Sequence, residues 1–568
     1  MRRTGRIVGM LLLGGGLLFT QGCAALFASG EEKQRIEQEK KAKAEVKQYE
    51  EAMKKENEAL EKKPLELMKY AEEADATLKG AEYEEFAVNS SFTLSGAAKN
   101  HQNFRSAYAM IEIRTVDEGV GGRSFTYYAP LTEGAFEQKI QLFNGKGDYR
   151  VTVRLPSTKQ DNYYYDIANF KVRNVNPAIK RDIEMTPAGK EAALTINKPA
   201  AGFIKSSESF VLQGSLKPQG SKSYIMIALE KDGERWKNLV PVKDGAFSTD
   251  IPLFYGKGVH KVTVLTPKPG KEDYYENAAI LRIDNTSNKI AKPITFSKEY
   301  QERGLQLTYP KAGGEETQMK YRIAGTIDPN AKDAAKTTHL IVQTKKGEDK
   351  ATYFIPVTNY TFDDEFWLRF GPGDYEVTVN VPEIQYENRN YYRFFETASF
   401  EVKNTAIEDK RDLLPSRGIQ SDAPEIKQLA EQLTAGKADE RAKALAIYEY
   451  LAKTIKYDVQ KFENDEFNYD DSAIKTLKEK EGVCQDYAFL GIALLRSIDM
   501  EARFVEGYAR SRHAWIEVKV DGTWLTMDPT WGAGYIQDGK FVPKYDAKYF
   551  DPKPEEFKKT HSRTGTGY

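Results

Sequence analysis

The chain has 568 residues, 83 basic and 84 acidic, for a formal charge of -1. That length predicts about four domains, and 40% apolar content supports folded cores. The balanced charge supplies no basic face of the kind nucleic-acid binding needs, so that class of partner is excluded. The 33 Tyr and 28 Phe suit β-sheet surfaces. The 2 cysteines, Cys23 and Cys484, each sit in a separate motif, which leaves no pair for a structural disulfide.

Arg2, Arg3 and Arg6 precede an apolar run from Ile7 to Phe19. That run is too short to span a bilayer but suits the core of an export signal. Small Gly22 precedes Cys23. Residues 1–22 thus resemble a bacterial lipoprotein signal, with Thr20 where such signals usually carry Leu. The resemblance implies that Cys23 is acylated and that the exported protein is held by its lipid on the outer face of the bacterial membrane. Each buried methylene would contribute about 0.8 kcal/mol. The alternative is ordinary secretion with cleavage near Cys23 or Ala28. Residues 23–80 read as a linker and helical spacer. Glu31 to Lys63 is almost wholly Glu, Lys, Gln, Ala and Arg, and Pro64 interrupts it. Such a helix would reach roughly 50 Å. Val46, Tyr49, Met53 and Leu60 form a weak stripe broken by Glu56, so a solvated single helix is expected rather than a coiled coil.

The middle of the chain repeats itself. Gly134-Ala135-Phe136 recurs as Gly245-Ala246-Phe247 and, more loosely, Tyr360-Thr361-Phe362. Gly145-Lys146-Gly147 recurs as Gly256-Lys257-Gly258 and Gly371-Pro372-Gly373, at intervals of 111 and 115 residues. A Val-Thr-Val strand follows each, then paired tyrosines (Tyr163-Tyr164, Tyr274-Tyr275, Tyr391-Tyr392) and a last strand. Units of this length with alternating strands and Gly turns predict three β-sandwiches, at 81–178, 190–288 and 300–405. The Gly-x-Gly element reads as a hairpin corner rather than a phosphate loop, because no helix follows it. The modules resemble extracellular Ig-like domains. Their tyrosines are expected to pack on the sheets; stacking on cell-wall sugars is the alternative.

Asp412 to Ser416 reads as a linker into the last domain, 412–568. Pro424 opens one helix, and a second runs from about Ala438 to Ile455. From Cys484 the apolar positions Ala488, Gly491, Ile492 and Leu495 have helical spacing. The thiol therefore lies at a helix N-terminus, where unpaired N–H groups and the dipole favour a thiolate. Strands follow at Ala502–Tyr508, His513–Val520 and Thr523–Asp528. A two-residue Asp521-Gly522 turn would put Val520 opposite Thr523 and Trp515 opposite Asp528. His513 then shares a face with Asp528, within diagonal reach. The carboxylate can hold one imidazole nitrogen, leaving the other to take the proton of Cys484. A three-residue turn would put Asp528 on the wrong face.

Gly482 to Ala488, His513 to Val518 and Asp528 to Trp531 resemble the transglutaminase-like domain of the papain-related cysteine enzymes, over about 412–535. The resemblance implies an α+β fold, with the Cys helix packed on an antiparallel sheet. It implies Cys484 as nucleophile, His513 as base and acid, and Asp528 as its orienting partner. The reaction implied is acyl transfer from an amide through a thioester to an amine or to water, on protein or peptide substrates of the cell envelope. The Cys484 N–H would serve an oxyanion hole; Gln485 and Tyr457 are candidates for a second donor or for support. Gln485 stands where the wider family often has Trp. No cofactor or metal is implied, and no calcium loop is present in the sequence. A cysteine protease of the same fold is the first alternative. The other is a non-catalytic adhesion or scaffold protein whose enzyme domain is retired.

Overall fold

The computed structural model describes residues 30–116, 119–217, 223–271, 274–384 and 393–568. The leader, Cys23 and the Tyr391-Tyr392 pair lie outside the described residues. The chain divides after Glu184 into two compact units.

In the first unit, helix α1 spans Gly30–Ala59, so it stops short of Lys63. Its last turns are also not the free spacer expected. Asn57 Nδ2 donates to the Ala87 carbonyl at 2.9 Å, and Asn57 Oδ1 accepts from the Ala87 amide at 2.8 Å. Ala87 lies on Glu85–Val88, the edge strand of its sheet. An edge strand leaves backbone groups unpaired, and the Asn57 amide fills them. The strand Ala76–Lys79 pairs with Ser91–Ala98, so the first module begins before residue 81.

Each module is a sandwich of two sheets, as the repeats predict. In the first, Ala76–Lys79, Ser91–Ala98 and Ala135–Gln141 form the small sheet. The larger sheet orders Glu85–Val88, Tyr164–Asn174, Gly147–Pro156, Tyr108–Thr115 and Ser124–Pro130. The second and third modules, both in the second unit, repeat this plan. In each module a short strand (Glu85–Val88, Phe203–Ser206 or Glu315–Thr317) runs parallel to the last strand of the larger sheet, and in the third Thr295–Phe296 also pairs with that last strand, antiparallel. Apolar side chains alternate inward from both sheets. Ile111, Ile113, Val151 and Val153 of the first module are fully buried, as are Val342, Val377 and Val379 of the third.

The Gly-x-Gly element is not a hairpin. Ala135–Gln141 pairs within the small sheet, whereas Gly147–Pro156 pairs within the large one. The corner carries the chain between layers, and positive φ at Gly145, Gly256 and Gly371 (76°, 68° and 74°) makes the bend. Tyr149 and Tyr375 donate their hydroxyls back to the carbonyls of Gly145 and Gly371, both at 2.8 Å. This is the tyrosine corner of Ig-like sandwiches. A buried asparagine locks each corner from behind. Asn404 donates to the carbonyls of Leu368 and Gly371 at 2.9 and 3.0 Å and accepts from the amides of Met319 and Ala406 at 2.9 and 3.0 Å. Asn174 and Asn285 bond the carbonyls of Gly145 and Gly256 in the same way, at 2.8 and 2.9 Å. Of the described tyrosine pairs, the second members, Tyr164 and Tyr275, begin the last strands and are half-buried, whereas the first members depart from the packing expected of them. Tyr163 and Tyr274 are 49% and 56% exposed, because each lies ahead of its last strand, past the end of the sheet.

The last domain packs helices α2 (Pro424–Thr434), α3 (Glu440–Thr454) and α4 (Cys484–Arg496) against a four-stranded sheet. Its strands are β1 (Ala502–Ala509), β2 (Ser511–Val520), β3 (Thr523–Met527) and β4 (Ser562–Gly567), in the antiparallel order β3-β2-β1-β4. Pro424 opens α2 and Asp439 caps α3. Ile447, Leu451, Leu490, Leu494 and Ile516 meet in the core. The Asp412–Ser416 linker is not a free tether. Arg369, fully buried in the third module, donates to the carbonyls of Leu414 and Pro415. Arg496 at the end of α4 donates to the Leu414 carbonyl at 2.7 Å from the other side. A buried guanidinium gains from acceptors, and the linker backbone supplies two to one nitrogen of Arg369.

The asparagine lock generates a stability prediction. Asn404→Ala leaves buried backbone groups unpaired and lowers stability by about 3 kcal/mol, read as a shift of the urea midpoint.

Candidate active site

The site is assembled by one helix start and one hairpin. Glu481-Gly482 pairs in parallel with Lys456-Tyr457, and the chain then turns into α4 with Cys484 as its first residue. The turn is fixed by Asp486, whose carboxylate accepts from the Val483 amide at 2.8 Å. Lys461 bonds the same carboxylate at 2.8 Å and Asp471 at 2.9 Å, so a buried ion triad underlies the helix start. Gly482 is required by contact: a Cβ there would fall 2.5 Å from the Cβ of Asp486. Cys484 itself is free and half-buried.

The hairpin takes the two-residue turn. Val520 faces Thr523, and the pairing continues to Ile516 opposite Met527. Asp521 and Gly522 have φ of 48° and 80°, the left-handed pair such a turn requires. The register carries Asp528 level with Trp515 and beside His513. His513 Nε2 lies 2.8 Å from Asp528 Oδ2. The Cys484 thiol acts on the ring of His513 both as a hydrogen-bond partner and as a charge. The three residues singled out from the sequence are therefore brought together.

Asp528 is sealed from solvent, at 0% exposure. Burial alone would raise its pKa. The charge of His513 and the bonds from His513 and His561 outweigh that and hold it well below the usual carboxylate range. As an anion it can only accept, so the facing nitrogens must both carry protons. Burial would likewise lower the pKa of His513, but the Asp528 carboxylate reverses this and, with Cys484, pushes it up to about 10. His513 thus holds its proton readily, and a thiolate at Cys484 would face an imidazolium.

The supporting candidates lie near the nucleophile. Tyr457 is on the strand beside Gly482; burial first, and then the charge of Cys484, raise its pKa, keeping it a neutral hydroxyl. Gln485, the second residue of α4, has its Nε2 buried without a hydrogen-bond partner.

Sequence reasoning missed several groups. His561 Nε2 also lies on Asp528 Oδ2, at 3.0 Å. Its ring stacks on Phe557 at 3.8 Å and meets Trp531 at 4.7 Å and Trp515 at 5.5 Å. No local pattern announces it; it arrives with β4, a strand the sequence reading did not foresee. Asp486 did carry a signal, since an acidic residue at the third position of a helix is placed to cap the amide of the residue before the helix, here Val483. His513, Asp528 and His561 bring their donor atoms within 4.8 Å. The hydrogen bonds already account for that closeness.

Residues 427–529 match the sequence model of the transglutaminase-like superfamily, and this part of the chain is a transglutaminase-like domain. A stretch of 72 residues is 35% identical to an uncharacterized protein of Mycobacterium leprae, over 10% of this chain and 25% of that protein. The chain thus spans about a quarter of the length of that relative. Among solved structures, a candidate cysteine protease of Cytophaga hutchinsonii is 15% identical, covers 63% of this chain and 91% of its own, and has a TM-score of 0.20. A TGase structure is 18% identical over 30% of this chain and 48% of its own, with a TM-score of 0.18. A two-domain fibronectin type-III segment of chicken tenascin is 10% identical over 39% of this chain and 98% of its own, at 0.13.

The charge state sets a pH dependence. His513 is raised in the fold from 6.5 to about 10, so the stabilisation from its pair with Asp528 is complete below pH 6.5 and fades as pH rises through 10. The lowered Asp528 adds stability that is present above its unfolded pKa and lost only on strong acidification. The stability gap between the wild type and His513→Gln should therefore be widest at mildly acidic pH, above the unfolded pKa of Asp528 and below 6.5, and narrow steadily from neutrality toward alkaline pH, measured by urea unfolding across the series.

Proposed function

We propose that the protein is a surface-anchored cysteine acyltransferase acting on amide bonds of cell-envelope proteins or peptides through an acyl-thioester. One observation carries the reading. A half-buried thiol begins a helix beside a histidine whose far nitrogen is held by a buried carboxylate.

In this reading Asp528 holds His513 Nε2, which leaves Nδ1 toward the thiol. Nδ1 takes the thiol proton, and Sγ attacks the carbonyl carbon of a Gln side chain or peptide bond. The oxyanion is received by the Cys484 N–H, with Gln485 or Tyr457 offering a second donor. The imidazolium then protonates the departing amine, the C–N bond breaks, and a thioester remains. An incoming amine or water attacks it; His513 takes the proton released and returns it to sulfur. A Lys amine yields an isopeptide crosslink, and water yields hydrolysis.

The placement on the outer face of the membrane rests on the sequence pattern that ends in Cys23. Among the described residues, no helix is long and apolar enough to cross a membrane. α1 and the modules would carry the enzyme domain outward from a lipid at that cysteine.

Incorporation of a fluorescent primary amine into envelope proteins tests the reaction. Cys484→Ala should abolish it, and His513→Ala should lower it by about a hundredfold or more. Hydrolysis without amine incorporation would make the enzyme a protease. If Cys484 labels with iodoacetamide no faster than a model thiol and His513→Ala changes nothing, the adhesion reading replaces both.

A further inference from the structure

We infer that His561 is a positioning residue for the same reaction, a second imidazole that fixes the carboxylate on which His513 depends. This rests on the reading of Cys484 as nucleophile.

The carboxylate of Asp528 is fully occupied. Oδ1 accepts from the amides of Thr530 and Trp531 at 3.0 and 3.1 Å, and Oδ2 accepts from His513 and His561 at 2.8 and 3.0 Å. Only one orientation satisfies all of these donors, and it aims Oδ2 at His513. The backbone donors alone would leave Oδ2 held by His513 only. Asp528 would then follow the imidazole instead of steering it.

His561 is held at its second nitrogen as well. Thr560 Oγ1 lies 2.8 Å from His561 Nδ1. Nε2 must donate to the anion, and the Thr560 hydroxyl, which donates to the Phe557 carbonyl at 3.2 Å, braces Nδ1 on the other side of the ring. The ring cannot turn away: Phe557 lies parallel to it at 3.8 Å and 11°, Trp531 and Trp515 close two further sides, and His561 is 4% exposed. The strand that delivers it also fits closely. At Gly507 on β1, a Cβ would meet the Ser562 carbonyl of β4 at 2.1 Å and the Trp515 ring at 2.6 Å.

The titratable and charged groups around this carboxylate come from every neighbouring element. They are Cys484 and Tyr487 on α4, Tyr448 on α3, Tyr457 beside Gly482, and His513 on β2. Arg510 stands over the ring of Trp531 at 5.8 Å. Burial raises the pKa of all three tyrosines, so they stay neutral. The charge balance therefore rests on the thiol, the two imidazoles and Asp528. Loss of the second imidazole frees the carboxylate to rotate, and His513 loses part of the partner that stabilises its imidazolium.

The pH profile of Cys484 alkylation by iodoacetamide, on the full chain, tests this. His561→Ala should slow alkylation at neutral pH by about tenfold, the worth of one charge-assisted hydrogen bond, and shift the profile toward that of an ordinary thiol. His561→Gln, which keeps an N–H able to reach the same oxygen, should restore most of the rate and the profile. Thr560→Val alters an exposed side chain, so it should fold normally and move the profile the same way by a smaller step. Equal losses in the Ala and Gln variants with an unshifted profile would make His561 a packing residue and overturn the inference. So would an unchanged profile in Thr560→Val together with either His561 variant. A wild-type thiol of ordinary reactivity would instead sink the nucleophile reading, whatever the variants do.

Discussion

A single carboxylate organises the C-terminal domain of this molecule. Asp528 has no contact with solvent, and two backbone amides and two imidazoles converge on it. A buried charge costs several kcal/mol unless its acceptor sites are filled, so every element supplying a donor must be in register. The two-residue turn between β2 and β3 places Asp528 level with Trp515, the short helix after it supplies the amides, and β4 brings His561. A slip of one residue in the hairpin would turn Asp528 outward and strand both histidines.

The scaffold uses the same logic in a neutral form. Each module turns between its layers at a glycine corner whose carbonyl is taken up by a buried asparagine. One amide can serve two carbonyls and two N–H groups, so it satisfies a whole corner that would otherwise lie unpaired in the core. The third module extends this to the enzyme domain. Arg369 and Arg496, from different domains, both donate to the Leu414 carbonyl, and the segment between the domains is held instead of left to swing. Tyr568, just beyond β4, lies edge-on to Phe370 at 5.4 Å. The segment from His561 through β4 therefore runs from the Asp528 carboxylate to the face of the neighbouring sandwich.

Much of this was legible because it is local or repeated. The modules declared themselves through glycine corners and strand patterns recurring at near-constant intervals. The hairpin could be derived residue by residue, since Asp521-Gly522 admits one tight turn and strand alternation then dictates which side chains share a face. Cys484 at a helix start followed from apolar spacing alone. Other features were not legible. The corner was taken for a hairpin because a glycine bend looks the same whether its flanking strands pair or part into different sheets. The helix after Gly30 was read as free because the polar composition that solvates it also hides Asn57, which docks on an edge strand far along the chain. The clamp on the linker is not legible because the arginines that grip it come from either side of it in sequence.

The amino-acid sequence by itself determined the order of modules, the start of the Cys helix and the register that unites His513 with Asp528. All of these follow from short-range periodicity and turn chemistry. Tertiary structure alone decided that His561 joins them, that Lys461 and Asp471 brace the turn through Asp486, and that the linker is clamped. Those contacts join residues with no fixed spacing, and the cost of burying their charges without partners selects them.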